Sequence, residues 1–123
     1  MADRGSVTER IGQAWTYLRD KRYDAALAEF ESILNKNPDD IDANYGLGLA
    51  QKALGQAEAA AVSFRKSLAL VEQARKEYER MRAEAHPHDN LKTPEDDRFT
   101  MLIRMTNQRL SEVSPKSAQT ADI

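Results

Sequence analysis

The chain has 123 residues, of which 18 are Lys or Arg and 20 are Asp or Glu, giving a formal charge of −2. A balance this close to neutral supplies no field to gather nucleic acid or anionic lipid, and 41% hydrophobic content suits one thin domain with much solvated surface. With no cysteine, disulfides, thiolate metal ligands and cysteine nucleophiles are excluded. No apolar run reaches the length of a membrane span, and the polar residues 1–6 carry no secretory core, so a cytoplasmic protein without membrane insertion is expected.

The pattern predicts an all-α chain. Residues 1–5 read as a flexible N-terminus. Ser6 with Glu9 three residues on has the form of a capping box, and Val7, Ile11, Ala14, Trp15 and Leu18 follow at helical spacing. A charged turn over 19–22 leads to a second helix, 23–35, with Ala26, Leu27, Phe30, Ile33 and Leu34 on one broad face. Asn37-Pro38-Asp39-Asp40 stops it, because proline disfavours helix in the residue before it and aspartate can cap the next one. A third helix is predicted over 42–54, ended by Gly55.

From Ala57 to Ala85 there is neither Gly nor Pro, and an apolar stripe runs through Phe64, Leu68, Val71, Ala74, Tyr78, Met81 and Ala85. The reading is one long helix over 57–85; the alternative is a tight turn at 71–73 that starts a third repeat. A polar loop, 86–92, precedes Thr93-Pro94-Glu95-Asp96, a helix start with a capping hydroxyl, proline in the first turn and acids facing the positive end of the dipole. The last helix, 95–112, carries Phe99, Leu102, Ile103, Thr106 and Leu110 on one face, and 114–123 reads as a disordered tail.

Within this series the chain repeats itself at a step of thirty-four residues: Ala26, Phe30 and Leu34 recur as Ala60, Phe64 and Leu68, and Ala14 as Gly48. Such a step marks a helix–turn–helix solenoid whose units bury their apolar faces on each other. Ala14, Tyr17, Ala26 and Phe30 in a first unit (4–37) with Pro38 at its end, and Leu47, Gly48, Ala60 and Phe64 in a second (41–74), resemble the tetratricopeptide repeat (TPR). Arg10 and Gln13 stand where the family often has tryptophan and leucine. Only two units are recognisable where such stacks usually need three, so the long helix and the last helix read as the missing cover, with a homodimer as the other way to supply it.

The resemblance implies a concave groove lined by the first helix of each pair. Carried onto this chain, its positions are Ile11, Trp15 and Leu18, then Tyr45, Leu49 and Lys52. Apolar anchors would dock there, with Lys52 orienting the ligand. The groove could stand open, be filled by the Phe99–Leu102–Ile103 stripe, or be buried in a dimer. If a third first-helix began near Arg75, Lys76 and Arg80 would form a basic rim at two positions of the family's carboxylate clamp. Ile11, Trp15 and Gly46 occupy the other clamp positions and offer no suitable donors, which argues against a complete clamp.

His86-Pro87-His88-Asp89 is a poor metal set, and Gly46-Leu47-Gly48 lacks the third glycine and the preceding strand of a nucleotide fingerprint. No catalytic residue, metal or cofactor is assigned. The expected function is a protein–protein interaction module (an adaptor, co-chaperone-like protein or assembly scaffold) that takes a peptide segment, with no nucleic-acid partner. The alternative is a self-assembling homo-oligomer that pairs through the groove or the last helix.

Overall fold

The computed structural model describes residues 7–88 and 93–113. The segment 1–5, Ser6, residues 89–92 of the polar loop and the tail 114–123 lie outside them. The described residues form five helices: α1 (Val7–Arg19), α2 (Tyr23–Lys36), α3 (Ile41–Ala53), α4 (Ala57–Ala85) and α5 (Pro94–Val113). α4 runs unbroken, the longer of the two readings of that stretch.

The thirty-four-residue step is present in the backbone as well as in the side chains. α1 and α3 both have 13 residues; Val7 and Ile41 start them, and Tyr23 and Ala57 start the helices that follow. The two intervening turns close the same way. Arg22 N–H donates to Tyr17 O and Lys21 N–H to Leu18 O; Gln56 N–H donates to Gln51 O and Gly55 N–H to Lys52 O. This pairing is a Schellman closure, which puts one residue in the left-handed region. That residue is Gly55 (φ 81) in the second turn and Lys21 (φ 65) in the first. Glycine announced the second turn in the sequence; lysine gave no such signal.

The start of α3 is fixed by Asp40, whose Oδ1 accepts from Ala43 N–H at 2.8 Å. Buried Asn44 secures the same corner, donating through Nδ2 to Pro38 O and Asp40 O. α5 starts at a reciprocal cap. Thr93 Oγ1 accepts from Asp96 N–H, and Asp96 Oδ2 accepts from Thr93 N–H at 2.9 Å.

Each helix packs on the next in chain order, and α3 also touches α1 and α5. The core between α1, α2 and α3 consists of Ala14, Ala26, Phe30, Ile33, Ala43 and Ala50. On either side of α3 a buried ring is seated on a glycine. A methyl added at Gly46 would come 2.2 Å from Phe30 Cζ, and one added at Gly48 would come 2.6 Å from Phe64 Cε1. Both phenylalanines are fully buried, so α3 approaches α2 and α4 this closely only because those two positions lack a side chain. Between α3 and α4 two hydroxyls are satisfied across the interface: Ser63 Oγ donates to Gln51 Oε1 at 2.7 Å and Ser67 Oγ to Ile41 O at 3.2 Å.

The two departures from the repeat pattern have local explanations. Arg10 Nε donates to Glu29 Oε2 at 3.1 Å and Arg10 NH2 to Ser32 Oγ at 2.6 Å, so a polar bridge joins α1 to α2 there. Gln13 is exposed beside exposed Thr8, Glu9 and Gly12, which gives α1 a solvated outer side.

The second half of α4 pairs with α5. Phe99 meets Tyr78 at a centroid distance of 5.7 Å, Tyr78 Oη bonds Thr93 Oγ1, Arg82 pairs with Asp96 at 2.7 Å, and Thr106 is buried. The Phe99–Leu102–Ile103–Thr106–Leu110 face, at i, i+3, i+4, i+7 and i+11, is therefore turned to α4.

Candidate interaction surface

The six proposed groove residues come from two adjacent helices in equivalent places. Ile11, Trp15 and Leu18 lie along α1, and Tyr45, Leu49 and Lys52 along α3; all six are half-buried. The two rows meet where Trp15 and Tyr45 come within 6.4 Å, centroid to centroid. Behind them each ring leans on a core phenylalanine: Trp15 edge-on to Phe30 at 5.4 Å, Tyr45 on Phe64 at 5.6 Å. The result is a four-ring network with its outer members at the surface and its inner members sealed. Ile11, Trp15 and Leu18 also pack against the α1–α3 core, so these residues serve stability as well as surface.

The α3 side of this face is bounded by the end of α5. Lys52 Nζ reaches Glu112 Oε1 at 2.8 Å, Arg109 pairs with the same carboxylate at 2.9 Å, and the Arg109 charge lies close enough to act on the Tyr45 hydroxyl. Burial pushes the Tyr45 hydroxyl above its usual range, with Arg109 acting the other way. The hydrogen bond from Lys52 holds the Glu112 carboxyl below the usual carboxylate range. The cation expected to orient a ligand thus already has an anion from within the chain. The possibility of an internal ligand took a different form from the one expected: Phe99 sits on Tyr78 rather than near Trp15, and it is polar Arg109 and Glu112 that reach α3.

The basic rim needs correction. It presupposed a helix starting near Arg75, but α4 passes through that point without a break, and Lys76 and Arg80 are exposed residues of its extended half. Arg80 pairs with Glu77 and Glu84 on its own helix, as Arg75 does with Glu79. These one-turn pairs solvate and support a long helix and present no converging donors.

His86 and His88 are exposed just beyond α4, His86 being its C-cap, while Asp89 lies outside the described residues. Two surface depressions fall away from the proposed groove. One of about 360 Å³ lies among Lys21, Arg22, Tyr23, Asp24, Ala25 and Leu54, and one of about 380 Å³ over Lys36, Asn37, Pro38, Asp39 and Asp40. Both are open turns without convergent side-chain chemistry. No described helix is long and apolar enough to cross a membrane.

Two residues missed in the sequence reading matter here: Arg109 and Glu112. Their charge marked them as solvent-facing, and no periodic signal ties the end of α5 to α3. Gly46, a residue of the glycine pair and of a clamp position in the sequence, seats Phe30. Comparisons with protein-family models, with curated proteins and with solved structures give no match.

Proposed function

We propose that this chain is a tetratricopeptide-like interaction module that receives a peptide segment on the face shared by α1 and α3. The observation that carries the reading is the Trp15–Tyr45 pair, two half-exposed rings on helices one repeat apart, each backed by a buried phenylalanine. Rigid aromatic surface of this kind gives large contact area with little side-chain entropy to lose. Leu18 and Leu49 lengthen the apolar strip, and Lys52 supplies charge at its edge. Supporting the family reading are the thirty-four-residue register of helices and turns and the phenylalanine-on-glycine contacts between them.

Trp15 is the only tryptophan, so its emission reports on this surface alone. Peptides selected on the protein by display should shift that emission on titration, and Leu49→Asp should abolish their binding while the far-ultraviolet circular dichroism stays unchanged. Binders that leave Trp15 emission unaltered and tolerate Leu49→Asp would refute the groove.

A second reading, self-association, draws on Met81, Met101 and Met105, which are 56%, 52% and 39% exposed on the paired α4–α5 arm. Flexible thioether side chains suit an adaptable contact surface. Light scattering over a concentration series tests it: a mass that stays at 13.9 kDa removes it.

A further inference from the structure

α5 is held unevenly along its length. Its first half is tied to α4 by the Tyr78–Phe99 rings, the Thr93–Asp96 cap and the Arg82–Asp96 pair, and Thr106 is sealed between the two helices. After Leu110, on the side turned to α4, the ties at its end are ion pairs. The contact with α3 runs through Lys52–Glu112, whose side chains are 37% and 28% exposed, and through Arg109 beside Tyr45. Half-exposed ion pairs of this kind contribute little to stability.

The last turn is also poor as a helix in its own right. It carries no basic residue and places Glu112 at the negative end of the dipole. Ser111 Oγ donates to Gln108 O, a bond that competes with the helix ladder. Glu112 is tolerated in that turn because Arg109 on its own helix and Lys52 on another both pair with it, and only the Lys52 bond ties the turn to α3.

From this the geometry points to a displaceable strap: residues 109–113 of α5 close over the α3 side of the interaction face, occupy Lys52 and Tyr45, and open when the Lys52–Glu112 bond breaks. The proposal deepens the groove reading and rests on it, as it makes access to Tyr45 and Lys52 conditional. In the closed state Tyr45 is only half-exposed and Lys52 is engaged by Glu112; in the open state the second ring and the charged end are presented in full.

The test needs no peptide, so its failure is separable from failure of the groove. In Lys52→Met, amide exchange followed by NMR should quicken at residues 109–113 by roughly two- to fivefold, the range that loss of a surface pair allows. Residues 95–104 should keep their rates. The Lys52→Glu, Glu112→Lys double variant should restore protection, because it rebuilds the pair and places a cation at the helix end. As a second readout, N-acetylimidazole should acetylate Tyr45 faster in Lys52→Met by a similar factor while Tyr78 reacts at the same rate. Unchanged exchange at 109–113, loosening of all of α5 together, or an end that frees itself without exposing Tyr45 would each overturn the strap.

Discussion

Gly46→Ala should destabilise the fold, although alanine is the better helix former. The added Cβ would stand 2.2, 2.4 and 2.7 Å from Phe30 Cζ, Cε1 and Cε2. Carbon atoms rest about 3.5–4.0 Å apart, so the overlap exceeds 1 Å against a ring with no exposed surface into which to swing. Overpacking by one methyl costs about 1–3 kcal/mol, and the upper end applies where neighbours cannot yield. Helix propensity returns about 1 kcal/mol, leaving a net loss of about 2 kcal/mol. Gly12→Ala makes the same change in exposed α1, where an added Cβ meets nothing within 4 Å. There only the propensity gain of about 1 kcal/mol remains, so the two substitutions should move stability in opposite directions. With about 4 °C per kcal/mol for a chain of this size, thermal melts followed by circular dichroism should show Gly46→Ala about 8 °C below wild type and Gly12→Ala about 4 °C above it. Phe30→Leu in the Gly46→Ala background should give a positive cycle, the smaller side chain relieving part of the clash. If Gly46→Ala melts at or above wild type, the Phe30–Gly46 contact does not limit the approach of α2 to α3, and the packing argument fails.

Lys21→Gly should raise stability by about 1 kcal/mol, since a non-glycine residue in the left-handed region costs about that much and the equivalent turn already uses Gly55; urea denaturation with an unchanged slope checks it. Phe64→Ala should lose about 3–5 kcal/mol through the cavity left against Gly48 and Tyr45, measured the same way. α5 should loosen first in acid. The Thr93 backbone hydrogen bond holds Asp96, and the Lys52 hydrogen bond holds Glu112, below the usual carboxylate range. Groups with depressed folded values stabilise above their unfolded pKa of about 4 and lose that contribution as pH falls through the lower folded values. Amide exchange should therefore quicken in α5 before α3 between pH 5 and pH 2, and Asp96→Asn should flatten the dependence; equal loosening of both helices would contradict it.

What the sequence determined by itself was local in origin. The thirty-four-residue step, the proline and aspartates at 37–40, Gly55 and Thr93-Pro94 set where helices begin and end, because caps and turns act through residues close in the chain. The unbroken Ala57–Ala85 helix follows from the same local rules, having no residue that would break it. The turn over 19–22 was legible from its charge, but the left-handed backbone of Lys21 within it was not, since it is imposed by the helices on either side and not by the residue. Of the interaction face, the helical spacing gave the candidate positions, but the contact of Trp15 with Tyr45, the seating of Phe30 on Gly46 and the arrival of Glu112 at Lys52 link residues far apart in the chain. Such contacts depend on how the helices stack, and many sequences with the same period would stack them differently. The tertiary structure alone decided that the apolar side of α5 lies on α4, which leaves its charged end to reach α3.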